Sequence, residues 1–134
     1  MTTVYLAGKM SGLTFGEMTA WRVKAENELK KNGFKVLDPT ASFAKEKDAT
    51  PREIVDNNKY QIKWSDIILA ELNHNNISIG TIGELVFSRE WNKPVIAWGC
   101  AKSVINHPWV QEHVTKIFER MEDAVQYIID CYKK

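Results

Sequence analysis

The chain has 134 residues, 44% hydrophobic and 26% charged, a balance typical of a folded globular protein rather than of a disordered chain or a fibre. This length fits one domain over residues 1–134. Eighteen basic and 17 acidic residues leave a net charge of +1, so the chain lacks the broad positive field that nucleic-acid binding requires. No apolar run approaches the roughly 20 residues that span a bilayer, so we expect neither nucleic acid nor a membrane as partner.

The cysteine and histidine residues give no sign of a metal or redox site. Cys100 and Cys131 form no metal-like or redox-like pair, and both thiols are expected to be free. His74, His107 and His113 show no ligand spacing with cysteine or carboxylate residues. The chain starts directly in strand-like sequence, without a basic segment or a cleavable apolar core. We therefore expect a cytoplasmic protein that uses no metal and no other cofactor.

Short apolar runs alternate with longer amphipathic runs along the chain. In chain order the predicted elements are strand 4–7, helix 14–32, strand 34–37, helix 50–64, strand 66–72, helix 80–91, strand 94–98, strand 115–118 and helix 121–132. Residues 40–51 are polar without a period and predict either a loop over one end of the sheet or a short helix. The regular alternation predicts an α/β fold with helices on both faces of a mainly parallel, five-stranded sheet.

Two short sequence features predict where elements begin or end within this pattern. Thr50, Pro51 and Glu53 predict a helix start, with threonine as the N-cap, proline in the first turn and glutamate completing a capping box. Pro39 ends the second strand, because proline cannot donate a hydrogen bond to a strand ladder.

The loop after the first strand is the first candidate site, because ligands of such sheets bind beyond the carboxyl ends of the strands. It consists of Gly8, Lys9, Met10, Ser11 and Gly12. Glycines let backbone N–H groups approach an anion, and the lysine and serine side chains add donors. The spacing matches neither the dinucleotide fingerprint nor the P-loop. An ordinary tight turn between strand and helix therefore stays open as the alternative.

The segment from Ser78 to Glu84 is the second candidate site. Ser78, Gly80 and Thr81 place hydroxyl and free N–H groups at a predicted helix start, which suits a phosphate or a carboxylate. Glu84 lies about one turn further, where the helix dipole is expected to keep its carboxylate ionised. Such a carboxylate facing a cleft can attack a sugar carbon. The alternative is that Ser78 or Thr81 only caps the helix and Glu84 only complements its dipole.

Four segments together resemble the nucleoside 2-deoxyribosyltransferase superfamily. They are Val4-Tyr5-Leu6-Ala7-Gly8, Ser65-Asp66-Ile67-Ile68-Leu69-Ala70, and Gly80-Thr81-x-x-Glu84-Leu85 followed by Lys93-Pro94-Val95. The match in order and spacing covers about residues 3–98. The resemblance implies a flavodoxin-like (Rossmann-like) three-layer sandwich that cleaves the N-glycosidic bond between base and sugar. It also implies a homodimer or larger homo-oligomer in which a neighbour's residues complete the site.

The resemblance implies roles for Glu84 and Tyr5. Glu84 falls on the family's nucleophilic glutamate, which forms a covalent glycosyl–enzyme intermediate, and Tyr5 falls on the tyrosine that orients that carboxylate. The transition state of such a reaction resembles an oxocarbenium ion, whose positive charge an adjacent carboxylate stabilises.

Ser78 brings the resemblance nearest to the nucleoside 5′-monophosphate N-glycosidases of the superfamily. Transferases of free nucleosides usually carry aspartate at this position, where it holds the sugar 5′-hydroxyl, whereas the monophosphate hydrolases carry serine. Aspartate would repel a phosphate, while a serine hydroxyl donates to it. The loop from Gly8 to Gly12 corresponds to the loop that helps hold the phosphate in those hydrolases. The expected reaction releases free base and ribose or deoxyribose 5-phosphate from a nucleoside monophosphate.

Asn58 departs from the family pattern, because the family's second acid falls on this position and asparagine cannot protonate a leaving base. Asp56 could replace that acid through a local shift, the leaving base could need less help, or the enzyme could be slow. Two other functions stay open: a 2′-deoxyribosyltransferase that exchanges bases between free nucleosides, and a non-catalytic nucleotide-binding module.

Overall fold

Five parallel strands form the centre of the molecule. The computed structural model describes residues 1–42, 49–76 and 78–134. The strands are β1 (Thr3–Ala7), β2 (Lys35–Leu37), β3 (Ile67–Glu71), β4 (Val95–Trp98) and β5 (Lys116–Phe118). They pair in the order β2-β1-β3-β4-β5, and every adjacent pair is parallel. This is the flavodoxin-like order, so the predicted α/β fold class is confirmed.

Helices cover both faces of this sheet. They are α1 (Phe15–Lys31), α2 (Pro39–Ser42), α3 (Pro51–Trp64), α4 (Ile79–Glu90), α5 (Lys102–Ile105), α6 (Pro108–Gln111) and α7 (Met121–Tyr132). The four-residue helices α5 and α6 were not predicted, because one turn is too short to show a helical period. In the segment 40–51, α2 supplies a short helix at the start, and residues 43–48 lie outside the described residues.

The predicted start of α3 is confirmed in atomic detail. The Thr50 hydroxyl accepts a hydrogen bond from the Glu53 N–H at 3.2 Å, and the Glu53 carboxylate accepts one from the Thr50 N–H at 3.1 Å. Thr14 and Glu17 form the same capping box at α1. These reciprocal bonds satisfy backbone donors that have no partner within the helix.

The side chains of β1 alternate between two buried layers, as they must in a strand. Val4 and Leu6 pack on the layer that includes α1 and α7, whereas Tyr5 and Ala7 pack on the layer that includes α3 to α6. β3 is buried along its whole length, which is typical of a central parallel strand. The alternation therefore directs Tyr5 toward the face that carries α4.

Two further expectations can be compared with the described part of the chain. Cys100 and Cys131 are both free thiols, as predicted, and both are exposed. None of the helices in the described ranges has the length and apolar character needed to cross a membrane.

Replacing Gly99 with alanine should destabilise the sheet. Gly99 follows β4 with a φ of +145°, and a Cβ there would lie 2.5 Å from the backbone carbon and oxygen of Leu72. Because backbone must shift to relieve this contact, we expect Gly99→Ala to lower the free energy of unfolding by about 2–4 kcal/mol. Urea unfolding followed by circular dichroism measures this loss.

The matched control is Gly16→Ala in the first turn of α1, where an added Cβ meets nothing within 4 Å. Alanine favours the helix there, so its effect should stay within about 1 kcal/mol and be stabilising. Equal losses in the two variants would contradict the steric argument.

Candidate active site

A cleft of about 690 Å³ opens beyond the carboxyl end of β1. Its walls come from the loop after β1, the start of α2, one side of α3 and the residues of α4 from its start to Phe87. All eight substrate-binding residues predicted from the sequence line it: Gly8, Lys9, Met10, Ser11, Gly12, Ser78, Gly80 and Thr81. The volume lies within the range of about 300–1,000 Å³ that is usual for small-molecule sites.

Tyr5 and Glu84 meet at the floor of this cleft. Tyr5 is fully buried on β1, and its hydroxyl donates a hydrogen bond to Oε2 of Glu84 on α4. Burial, together with the neighbouring carboxylate, raises the pKa of Tyr5 well above its ordinary value, so the phenol stays protonated and remains the donor. The structure thus brings together the two residues that the sequence resemblance paired.

Glu84 is harder to ionise than the helix dipole alone suggested. Burial raises the pKa of its carboxyl group from 4.5 to about 7, although the hydrogen bond from Tyr5 and the positive charge of Arg22 both act in the opposite direction. The expectation of a carboxylate that is fully ionised at neutral pH is therefore corrected. Near pH 7 both protonation states are populated, and the carboxylate predominates only above that value.

Ser78 caps α4 and lines the cleft at the same time. Its Oγ accepts hydrogen bonds from the Thr81 N–H at 3.3 Å and from the Thr81 hydroxyl at 3.0 Å. The N–H groups of Ile79 and Gly80 bond to no other described residue, and both residues line the cleft. The capping alternative and the anion-site hypothesis are thus compatible, because one end of α4 offers both a cap and free donors.

Arg22 is a buried cation of the site that the sequence analysis missed. Its side chain is 0% exposed and donates to the carbonyl oxygens of Leu6 at 2.8 Å and Gly8 at 3.1 Å. It also forms a 3.1 Å ion pair with Asp38, which follows β2. An arginine on a helix is usually exposed, so nothing in the local pattern distinguished this one.

Gly8 is required by packing. A Cβ at this position would lie 2.8 Å from Cζ2 of Trp21 and 3.3 Å from Nη2 of Arg22. The chain must therefore pass these two side chains without a side chain of its own, which fixes where the following loop enters the cleft.

Asn58 lines the cleft, but Asp56 does not. Successive helix residues are rotated by about 100°, so Asp56 and Asn58 lie on nearly opposite sides of α3. Asp56 is exposed and pairs with Arg52 at 3.4 Å. The suggestion that Asp56 replaces a second acid through a local shift is therefore corrected, because this geometry directs its carboxylate away from the cleft.

The charge of the cleft favours an anion. Among the described residues that line it, Lys9 and Lys59 are cationic and Glu84 is the one carboxyl group. The Lys59 ammonium also lies 4.4 Å from the centroid of the Phe87 ring, which holds it against this wall. Within the described ranges, no group of histidine, cysteine and carboxylate side chains is arranged to hold a metal ion.

A smaller compartment of about 260 Å³ adjoins the cleft and is mostly apolar. Met10, Pro39, Ile54 and Asn58 line both spaces, and Phe15 is among the residues that line the small one alone. The apolar walls suit a flat, weakly polar group, and the Asn58 amide offers a donor and an acceptor at the junction.

The pH dependence of stability should reveal the buried carboxyl group. In the folded protein the pKa of Glu84 is raised from 4.5 to about 7, so folding opposes its ionisation. The part of the unfolding free energy that depends on a neutral Glu84 carboxyl group is fully present below about pH 4.5 and is lost as the pH rises through 7. Glu84→Gln removes this ionisation and keeps the shape, so it should exceed the wild type in unfolding free energy by about 3 kcal/mol at high pH.

Urea unfolding of both proteins at about pH 4.5 and about pH 8 tests this expectation. The unfolding free energies of the wild type and of Glu84→Gln should agree more closely at the lower pH. A difference that does not change with pH would contradict the assignment of a raised pKa to Glu84.

A carboxyl group that faces an open cleft beside a phenol donor suits an enzyme that forms or breaks bonds at a sugar carbon. The family model described as "Nucleoside 2-deoxyribosyltransferase" matches residues 4–123. The chain therefore belongs to the nucleoside 2-deoxyribosyltransferase family, a family of enzymes that act on small nucleoside or nucleotide substrates. No protein among those with curated descriptions matches the chain significantly.

Solved structures extend the comparison to the whole fold. A 2-deoxyribosyltransferase from Bacillus psychrosaccharolyticus is 24% identical, with a TM-score of 0.76 over 94% of this chain and 92% of that one. The enzyme of the same name from Leishmania mexicana is 17% identical, with a TM-score of 0.77 over 99% and 100%. A CMP N-glycosidase from Clostridium botulinum is 16% identical, with a TM-score of 0.64 over 98% and 100%. At these identities the likeness establishes the shared fold.

Proposed function

We propose that this enzyme hydrolyses the N-glycosidic bond of a nucleoside or deoxynucleoside 5′-monophosphate, releasing free base and the sugar 5-phosphate. The observation that carries the proposal is the Tyr5–Glu84 hydrogen bond at the floor of a cleft whose rim offers cations and free N–H groups. The similarity to a CMP N-glycosidase supports the same reaction class.

The phosphate would bind between the loop after β1 and the start of α4. Lys9 and the hydroxyl of Ser11 lie on one side. Ser78 lies on the other, together with the N–H groups of residues 79 and 80, which have no partner among the described residues. Backbone donors at a helix N-terminus and a nearby ammonium group both favour a doubly charged anion. A carboxylate in place of Ser78 would repel that anion.

Glu84 would act as the nucleophile. Its carboxylate attacks C1′ of the sugar while the bond to the base breaks, and the bonding electrons leave with the base. Water then attacks C1′, its hydroxyl group displaces the Glu84 carboxylate, and the proton that the water gives up neutralises the departed base, which regenerates the free enzyme. Tyr5 keeps one carboxylate oxygen hydrogen-bonded and so leaves the other oxygen to react.

The base would leave through the smaller apolar compartment beside Asn58. The amide of Asn58 can donate a hydrogen bond to the departing base, but it cannot supply a proton. General acid catalysis is typically worth about 10²–10⁴-fold in rate. We therefore propose that the preferred substrate carries a base that needs little protonation as it departs.

Base exchange between free nucleosides is the second candidate function. The two 2-deoxyribosyltransferases cover nearly the whole chain with higher TM-scores than the N-glycosidase does. In that case Glu84 and Tyr5 keep their roles, Ser78 contacts the sugar 5′-hydroxyl, and a second base takes the place of water.

A chromatographic assay separates these functions. Ribo- and deoxynucleosides and their 5′-monophosphates are incubated with the folded protein, each with and without a second free base. Free base and sugar phosphate from a monophosphate would support the hydrolase. A new nucleoside that forms only with the second base would instead establish the transferase. Ligand binding without any product would favour the nucleotide-binding module.

Glu84→Ala should abolish base release, with a loss of at least about 10³-fold, because no other described carboxyl group lines the cleft to replace the nucleophile. The control is Glu90→Ala on the exposed end of the same helix, which should keep wild-type rates. Release rates by chromatography and folding by circular dichroism are measured for both. Activity retained in a folded Glu84→Ala protein would refute the nucleophile.

Ser78→Asp should raise KM for monophosphates by about tenfold or more and change KM for nucleosides much less, because the added charge faces the phosphate. Ser78→Asn is the matched control, since asparagine caps a helix equally well without charge. Steady-state kinetics on matched nucleoside and monophosphate pairs measure both effects. Equal changes for both substrate types would contradict the phosphate assignment.

We also propose that the enzyme is a cytoplasmic homodimer or larger homo-oligomer. Ile79 is 89% exposed and Val55 is 50% exposed, and both lie on the cleft rim, where a second copy could cover them. The free, exposed thiols of Cys100 and Cys131 suit a reducing compartment.

A further inference from the structure

We propose that Arg22 is a positioning residue of this site, whose buried guanidinium aims the peptide between Gly8 and Lys9 into the cleft and supplies the fixed positive charge behind the Tyr5–Glu84 pair. The inference deepens the proposed function and rests on it, because it concerns the same substrate phosphate and the same carboxylate. It stands on the contacts of a side chain that does not itself line the cleft.

The guanidinium joins three separate parts of the fold. Nε donates to the Met18 carbonyl at 2.9 Å within α1, and Nη1 donates to the Leu6 carbonyl in β1 at 2.8 Å and to Asp38 after β2 at 3.1 Å. Nη2 donates to the Gly8 carbonyl at 3.1 Å. The guanidinium carries N–H donors on three nitrogens, so it can bond to acceptors that lie in different directions. A lysine ammonium has only one nitrogen and cannot replace all of these bonds.

The bond to Gly8 sets the direction of the next N–H group. In a trans peptide the carbonyl and the following N–H point in opposite directions. Because the Gly8 carbonyl points inward to Arg22, the Lys9 N–H points away from it, on the side where the loop lines the cleft. The Lys9 N–H bonds to no other described residue. It is therefore free to donate to an anion.

The charge of Arg22 also acts on the reacting pair. It lowers the pKa of both Glu84 and Tyr5, while Asp38 acts on Tyr5 in the opposite direction. The described charged groups around the Tyr5–Glu84 pair and the Gly8 peptide are Arg22 from α1, Lys9 from the loop, Lys59 from α3, Asp38 after β2 and Glu71 at the end of β3. Glu71 is buried and pairs with His74 at 3.1 Å. Of the three cations, Arg22 alone is buried, so water screens its charge least.

Two substitutions separate the direction of the peptide from the charge. Arg22→Lys keeps the charge but loses the fork, so KM for a 5′-monophosphate should rise by about tenfold with little change in the pH profile. Arg22→Met loses both, so the acid limb of kcat/KM should also move to higher pH by about one unit. Arg52→Met, at an exposed arginine on α3, is the control and should leave both readouts unchanged.

Asp38→Asn keeps the test decisive where Arg22→Met fails to fold. Asparagine still accepts the bond from Arg22 but carries no negative charge to offset the guanidinium, so the acid limb should move to lower pH. Carbon-13 NMR titration of the Glu84 carboxyl group, assigned with Glu84→Gln, follows the same shift in ligand-free protein without any turnover.

The outcomes distinguish this inference from the proposed function. The pKa of Glu84 from NMR titration could shift in the expected directions while the protein releases no base from any nucleotide. That result would support the electrostatic role of Arg22 and refute the proposed hydrolase activity. Base release by the wild type, with pH limbs and KM unchanged in the folded Arg22 and Asp38 variants, would overturn the inference and leave the hydrolase standing. The variants could instead all lose folded protein, while those that still fold show no shift in KM or in the acid limb of kcat/KM. Arg22 would then have only a structural role, which would also overturn the inference.

Discussion

The hydrogen bond between Tyr5 and Glu84 is the interaction on which the architecture of the site depends. It joins the central sheet to α4 in a place where both partners are removed from much of the surrounding water. A buried carboxyl group without a partner would be costly, and the phenol offsets part of that cost. The same burial raises the pKa of Glu84 to about 7. The ionised carboxylate therefore lowers the stability of the fold, as is common for groups at functional sites.

The neighbourhood of this pair consists of a buried ion pair and a glycine that makes room for it. Arg22 and Asp38 tie the ends of β1 and β2 to α1, and the missing Cβ of Gly8 lets the chain pass Trp21 and Arg22. The loop that lines the cleft is thereby held by buried polar contacts as well as by its own sequence. Breaking one partner of such a buried pair is more disruptive than losing a surface pair.

The two sides of the cleft suit two chemically different halves of one ligand. Lys9, Ser78 and the free start of α4 form a polar, cationic side, whereas Phe15 and Ile54 belong to an apolar compartment. A nucleotide has this division, with a charged phosphate and a flat base on either side of the sugar carbon that reacts. Glu84 faces the space between them, where a carboxylate stabilises developing positive charge.

The sequence alone determined the order of the five strands and the four longer helices along the chain, together with the capping box at Thr50 and the loop and helix start that line the cleft. These features depend on local periodicity, glycine and capping chemistry. Only the tertiary structure decided which side of α3 faces the cleft, and so included Asn58 and excluded Asp56. It also revealed Arg22 as a buried cation and Glu84 as a group with a raised pKa. Burial and charge proximity are properties of residues distant in the chain, and no local pattern encodes them.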